Sequence, residues 1–500
     1  MSFTRLRLDT PYPGIRPFRE DEEHLFFGRE AQVDALVDTL ARGRFLAVIG
    51  SSGCGKSSLV NCGLRPALHR GLLAQAGSAW RMATCRPGSQ PLRALAESLA
   101  APGALHRDLP DSPFRLAELI ESTLALSRRG LVEAFLQAGL PAGTQLLVIV
   151  DQFEELFRYR GLGPRGDAQP DADGDPATAF VNLLLEARAQ DVPIHVVLTM
   201  RSDFLGDCAR FAGLPEAINQ GQYLVPRMSR DERRAAIAGP ARVCGADIAP
   251  TLLTRLVNDV GDDPDQLSLL QHALARTWAH WRASRTPSPI EARHYDAVGT
   301  LAHALNQHAE ELYAALPPGR QRLCAQAFRA LTDTGSDHRG VRRPCRFADL
   351  VALGGAPAEE LATTLAPFRA PGAAFLMPPE GVALTADTVV DLAHESLMRI
   401  WDRLRAWGER EAEAARMLRR LADAADLHAR GEASLWRDPE LQFALDWRQH
   451  NTPNPAWAAL YGRALAPALA FLDASRDARD AAAAAEIARA EAEQIGRAHV

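Results

Sequence analysis

The sequence predicts an α/β fold, a parallel sheet doubly wound with helices, followed by a chain that is almost wholly helical. Three observations carry this. Apolar runs at Leu46–Ile49, Gln145–Val150 and Ile194–Met200 are short and bounded by Gly, Asp or Arg, as buried parallel strands are. Helical patterns separate these runs, so their connections are right-handed crossovers rather than hairpins. Beyond residue 228 the apolar spacing becomes helical almost throughout.

The first run leads into Gly50-Ser51-Ser52-Gly53-Cys54-Gly55-Lys56-Ser57-Ser58, which fits G-x-x-x-x-G-K-[ST] without a mismatch. Glycines let backbone N–H groups turn inward around phosphate oxygens, and the next helix adds its positive N-terminal dipole. Lys56 is expected to reach the β- and γ-phosphates, and the Ser57 hydroxyl to ligate Mg²⁺. Leu59, Val60, Leu64, Ala67 and Leu68 supply the apolar face of that helix. The fold class is therefore an α/β P-loop NTPase, continued by a helical domain, a winged helix and a C-terminal helical arm.

Upstream, Pro11-Tyr12-Pro13-Gly14-Ile15-Arg16-Pro17-Phe18 reads as a stiff extended lead. Phe27 and Gly28 before the first helix (Val33, Leu36, Val37, Leu40) form either a slot for an adenine ring or ordinary packing. Downstream, Trp80–Cys85 reads as a second strand, with helices at about 91–101 and 114–139. The strand at 145–150 ends in Asp151, a carboxylate where doubly wound sheets bind ligands, and with Ser57 it completes a magnesium site. Gln152-Phe153-Glu154-Glu155 places further carboxylates near the γ-phosphate. Residues 160–176 read as a Gly/Pro/Asp-rich loop. Arg201 closes the next strand, where a guanidinium either reads a γ-phosphate or pairs with Asp203. Residues 223–226 are the last strand.

Ser229-Arg230-Asp231-Glu232 is a capping box opening a helix that is expected to stop at Gly239-Pro240. Two amphipathic stripes follow, Leu252 to Val260 and Leu270 to Trp281. A helix near 317–333, short helices to about 367, and strand-like runs at 374–377 and 388–392 read as a winged helix. Arg339, Arg342, Arg343 and Arg346 read as a solvated or interdomain patch rather than a DNA surface. The Ala/Glu/Arg-rich end has helical propensity but few large residues for a coiled-coil seam, which suits a spacer. The expected boundaries are 1–26 for the lead, 27–227 for the nucleotide-binding domain, 228–312 for the helical domain, 313–408 for the winged helix and 409–494 for the arm. Residues 495–500 break the Ala/Glu pattern and read as a non-native tail on a naturally longer chain.

Composition narrows the class. The 500 residues are 47% hydrophobic, too many for one core. A net charge of −6 gives no basic footprint, so DNA is not expected as a partner. Seven scattered Cys without C-x-x-C read as free thiols in a reducing compartment. With no apolar leader and no run of eighteen apolar residues, a cytoplasmic protein without membrane contact is expected.

Taken together, these motifs resemble the STAND class of P-loop NTPases, specifically the novel STAND group usually followed by a WD-repeat propeller. The resemblance covers nearly all of residues 11–476. Besides the phosphate loop it rests on Phe27-Gly28-Arg29-Glu30, Val150-Asp151-Gln152-Phe153-Glu154-Glu155, Thr199-Met200-Arg201-Ser202-Asp203-Phe204, Ile237-Ala238-Gly239-Pro240-Ala241, Asp263-Pro264-Asp265-Gln266-Leu267 and Ala393-His394-Glu395-Ser396-Leu397. It implies an ATP/ADP switch with Mg²⁺, slow hydrolysis, self-association in the ATP state, and a sensed protein or ligand recognised by a region further along. Phe27, Gly28 and Arg29 would border adenine, Pro240 would belong to the nucleotide site, Arg201 would sense the γ-phosphate, and His394 would approach the β-phosphate of ADP. Glu154 or Glu155 would serve as base, since Gln152 stands where relatives carry a second acid. Ser268 stands where they carry proline. The competing classes are a DNA-binding regulator or initiator acting through the winged helix, and a metabolic kinase or GTPase. The last lacks an Asn-Lys-x-Asp guanine motif and leaves the helical half unexplained.

Overall fold

The three apolar runs become the central strands of a five-stranded parallel sheet in a computed structural model that describes residues 10–105, 113–158, 175–261, 266–285, 289–333 and 341–498. The strands are β1 (Phe45–Gly50), β2 (Trp80–Cys85), β3 (Gln145–Val150), β4 (Ile194–Arg201) and β5 (Gln222–Leu224), in the order β2-β3-β4-β1-β5. Sequence pattern follows position. Every residue of β1 is buried, whereas β2 and β5, at the two edges, keep exposed or half-buried residues. The register places Gly50 beside Arg201 and Val150 beside Leu198, so the loop after β1, the end of β4 and Asp151 lie along one edge of the sheet.

Helices cover both faces. Helix α1 (Glu30–Gly43) and the helix after the loop, α2 (residues 56–69), pack Leu36, Leu40, Val60 and Leu64 against Leu46, Val48, Leu147 and Val197. Helices Pro91–Ala100, Pro113–Leu126, Gly130–Gln137 and Pro176–Ala189 cover the opposite face, around Ala47, Val148, Val196 and Leu198. Helix α2 is not uniform: Lys56–Ser58 leads through a π-helical stretch, Leu59–Leu64, into Arg65–His69. Such wide turns inside a helix recur beside functional sites.

The structure differs from the sequence reading in several places. The single helix expected at 114–139 is two, because Gly130 sits against the Thr123 carbonyl and Leu124 so closely that a Cβ there would lie 2.5 Å from Thr123 O. The helix opened by the Ser229 capping box runs through Pro240 to Val243 instead of stopping. Pro240 removes one donor from the ladder, yet Tyr12, buried in the lead, donates its hydroxyl to Ile237 O in the same stretch at 2.6 Å. The loop expected at 160–176 lies outside the described residues as far as residue 174.

The chain divides into two units, residues 1–301 and 302–500. The first also holds the helices Pro250–Asp259 and Gln266–Ser284, whose buried Leu252, Leu256, Leu270 and Trp278 fulfil the two expected stripes. In the second unit, helices Pro318–Ala330, Phe347–Gly354 and Ala358–Arg369 accompany a three-stranded antiparallel sheet in which Val389–Leu392 lies between Cys345–Arg346 and Leu376–Met377. Trp401, Phe328 and Phe368 cluster in the same unit, the Phe328 ring meeting the other two edge-on with centroids 5.1 Å from Trp401 and 5.0 Å from Phe368. Ahead of the stretch expected as a spacer, which is exposed helix from residue 480 to 492, the arm is a packed bundle. Leu418 and Leu421 of Asp402–Ala429, Leu441 and Trp447 of Glu440–Asn451, and Leu472 of Leu465–Ala498 share one core. The last helix continues through the expected break at residue 495 as far as Ala498. Among the described residues no helix is long and apolar enough to cross a membrane.

Candidate nucleotide site

The loop between β1 and α2 has the backbone a phosphate cradle needs. Gly53 and Gly55 adopt φ of 71° and 92°, which L side chains disfavour. Gly50 is constrained by space, since a Cβ there would lie 2.7 Å from Cys54 Sγ. Lys56 folds back over the loop, its Nζ donating to Ser51 O at 2.7 Å and Gly50 O at 3.0 Å. Ser51 and Ser52 are half-buried in the turn. Ser58 faces away: its Oγ accepts from Phe18 N at 3.1 Å, tying the lead onto α2.

Ser57 and Asp151 meet, as their pairing in a magnesium site requires, with Oγ donating to Oδ1 at 2.6 Å. Two residues that the sequence reading left without a role complete this centre. Thr199 donates its hydroxyl to the same oxygen at 2.7 Å, and Arg86 Nε lies 3.2 Å from Oδ2. The cause is strand order. With β4 inserted between β1 and β3, Thr199 stands between the loop and Asp151, and Arg86 follows directly on β2 at the edge beyond. The only sequence signal for them was polarity at strand ends. Burial pushes the Asp151 carboxyl upward, but the Arg86 charge and the hydrogen bonds from Ser57 and Thr199 outweigh it and hold the group below the usual carboxylate range.

The segment after Asp151 is held on both sides. Gln152 has φ of 57°, and its N–H donates to Thr199 Oγ1 at 3.0 Å. Phe153 is fully buried, and Phe157 packs on Phe153, Phe204 and Phe211. Glu154 and Glu155 are buried. Glu154 Oε2 accepts from Arg201 N at 3.4 Å and Glu155 Oε2 from Gly88 N at 3.1 Å. Arg201 forms a fork with Asp203, at 3.0 and 2.6 Å, which is the plainer of its two readings.

Phe27, Gly28 and Arg29 come together with the helix carrying Pro240. Phe27 lies against Gly239, where a Cβ would come within 2.5 Å of its ring, and Gly28 crosses Glu232 equally closely. Arg29 is buried and bridges, donating to Pro226 O at 2.9 Å and to Cys54 O at 3.3 Å. It therefore braces the phosphate loop against the start of the helical region. Ser268 stands in the first turn of Gln266–Ser284, a place open to serine or proline alike. His394 belongs to the second unit, where its Nδ1 accepts from Ser396 N at 3.2 Å and lies 2.8 Å from Ser396 Oγ, in a cap-like arrangement. In the same unit Arg342 donates to Asp391 Oδ2 at 2.7 Å and Arg343 lies 4.9 Å from the Tyr461 ring, while Arg339 is outside the described residues.

The donor set fits a hard divalent cation: a serine hydroxyl and an ionised carboxylate converge beside a glycine cradle with a lysine over it. Fold and loop together define the class, an α/β P-loop NTPase. The chain belongs to the novel STAND NTPase 1 family (nSTAND1), whose profile matches residues 11–434. No curated protein matches it. Among solved structures it is similar to the ORC2 protein of Aeropyrum pernix in its ADPNP–ADP complexes, at 15% identity over 82% of this chain and 98% of that one, TM-score 0.40. It is similar also to the ORC1 protein of Aeropyrum pernix in complex with DNA, at 14% identity over 79% and 95%, TM-score 0.39. A third is the Walker-type ATPase PABY2304 of Pyrococcus abyssi, at 14% over 77% and 98%, TM-score 0.35. The expectation against DNA rested on the net charge of −6 and on arginines without interleaved aromatic residues, and it is not supported.

Proposed function

We propose that this chain is an ATP/ADP-dependent signalling switch of the STAND type, binding Mg-nucleotide at the Gly50–Ser58 loop and hydrolysing ATP slowly. The observation that supports the reading best is the Ser57–Asp151 contact, reinforced by Thr199 and Arg86 on the same carboxylate. A bound magnesium ion would neutralise charge between the β- and γ-phosphates. Lys56, now held by two loop carbonyls, exchanges those partners for phosphate oxygens. Glu154, held beside the end of β4, orients water. Arg201 leaves Asp203 for the γ-phosphate, which makes its fork a state-dependent contact. Opening and self-association in the ATP state, a sensor of WD repeats further along, a winged-helix role for the second unit and a role for His394 toward ADP belong to the same proposal.

Lys56→Ala is expected to weaken ATP binding at least about tenfold, since a charge-assisted contact contributes about 1.5–3 kcal/mol. Calorimetry giving wild-type affinity for the variant would overturn the site. Glu154→Gln should bind ATP normally and lose turnover in a phosphate-release assay; unchanged turnover would remove Glu154 from the chemistry. The DNA-binding alternative predicts a salt-dependent mobility shift with duplex DNA, which the switch reading does not require.

A further inference from the structure

At the edge of the sheet opposite the phosphate loop, a cavity of about 760 Å³ opens at the amino ends of β1, β3 and β4. The six residues of β1 separate it from the loop, roughly 20 Å along the strand. Its size is that of a small-molecule site. Arg42, Arg44 and Arg188 line it against a single carboxylate, Asp191.

Arg44 and Arg188 are positioned largely by neutral groups and Arg42 is exposed, which leaves their charge available to a ligand. Arg44 donates to Gln190 O at 2.9 Å and to Val192 O, while Asp191, fully exposed, stands 4.0 Å away. Arg188 donates to Gln220 Oε1 and lies 5.8 Å from the Phe45 ring. Leu73 and Leu185 give the wall an apolar part.

An independent observation comes from His195, which lines the same cavity. It is 5% exposed, its ring packs edge-on to Trp80 at 4.9 Å, and its buried Nδ1 has no hydrogen-bond partner. That nitrogen is sealed from the cavity, so a ligand there meets only the edge of the ring that the wall exposes. Burial, with the Arg44 charge adding to it, brings the imidazole down to about 4, so the ring is neutral near pH 7. A neutral ring carries one lone pair and one N–H on its two nitrogens, and a hydroxyl group matches either.

We propose that this cavity binds a small hydroxylated organic anion, a sugar phosphate or a hydroxycarboxylate, with its charge among Arg42, Arg44 and Arg188 and a hydroxyl against the edge of the His195 ring that lines the cavity. The site is separate from the phosphate loop, and its test does not depend on nucleotide binding.

Calorimetry on the full chain, with glucose 6-phosphate and citrate as the two probes, decides it. One of them should bind with a Kd of about 1 mM or tighter, and which one does so separates the phosphate source from the carboxylate source. Glucose and inorganic phosphate, the two halves of the first probe, should each bind at least about tenfold more weakly. Arg42→Glu and Arg188→Glu should each weaken the retained probe about tenfold or more, and His195→Phe should do the same. Lys56→Ala should leave its binding unchanged. Failure of both probes to bind overturns the proposal. So does binding that survives both arginine reversals, or binding lost in Lys56→Ala. Inorganic phosphate binding as tightly as glucose 6-phosphate overturns the ligand class. Arg42 is exposed, so its variant keeps the test decisive if His195→Phe does not fold.

Discussion

Asp151 shows how one carboxylate is tuned by neighbours from a helix, a strand and the end of another strand. Its depressed protonation has a definite sign. A carboxyl held below its unfolded value, near 3.9, contributes stability that is present above that pH and lost as pH falls through the folded value. Arg86→Met removes the largest favourable influence on the ionised form. The acid limb of stability should therefore move to higher pH, which tryptophan fluorescence during acid titration would show; an unmoved limb would mean that Ser57 and Thr199 suffice. Asp151→Asn keeps the shape and loses the charge. It should stay folded while magnesium no longer strengthens nucleotide binding, and persistence of that magnesium effect would make Asp151 a structural residue. Of this centre, Ser57 and Asp151 were legible in the sequence because each closes a recognisable local pattern. Arg86 and Thr199 were not, because nothing local distinguishes them; the order in which strands pair brings them in.

At the scale of elements, the strands of the parallel sheet were read almost to the residue, whereas the two-residue strand Cys345–Arg346 was not read at all and helix ends were read less well. Strands announce themselves by contiguous apolar runs, whereas helix ends depend on contacts from elsewhere in the chain. Gly130 packs on the preceding helix and splits what periodicity alone joins. Pro240 should have ended its helix, yet the helix continues with the lead packed beside it. That pairing can be tested. Tyr12→Phe deletes the buried bond to Ile237 O and should cost about 1–2 kcal/mol in denaturant unfolding. A loss within error would mean that the carbonyl is served without it. The close crossing of Phe27 on Gly239 is equally invisible in the sequence, since only the fold brings residues so distant in the chain within one side chain's reach.

For the whole molecule, the relevant fact is that each unit holds a core of its own and that only the first contains the phosphate loop. A ligand held at a hundredfold excess over its Kd adds about 2.7 kcal/mol to whatever binds it. In scanning calorimetry ADP should raise the transition of the first unit. The switch reading demands more: the second unit must respond to the same nucleotide, because coupling is differential affinity and not proximity. A second transition that stays fixed while the first one rises would leave a nucleotide-binding protein without a switch.

The helix Leu465–Ala498 adds a mechanical consequence. Its 34 residues reach roughly 50 Å, and its buried anchor points, Leu472 and Ser475 among them, lie in the first third. Residues 480–492 are exposed without interruption. A rod clamped at one end acts as a lever arm: a tilt of about ten degrees at Ser475 sweeps its tip through roughly 6 Å at 1.5 Å of rise per residue. Repacking by one rotamer around Phe471 and Trp436 would thus be amplified into a sideways displacement of several ångströms at the tip.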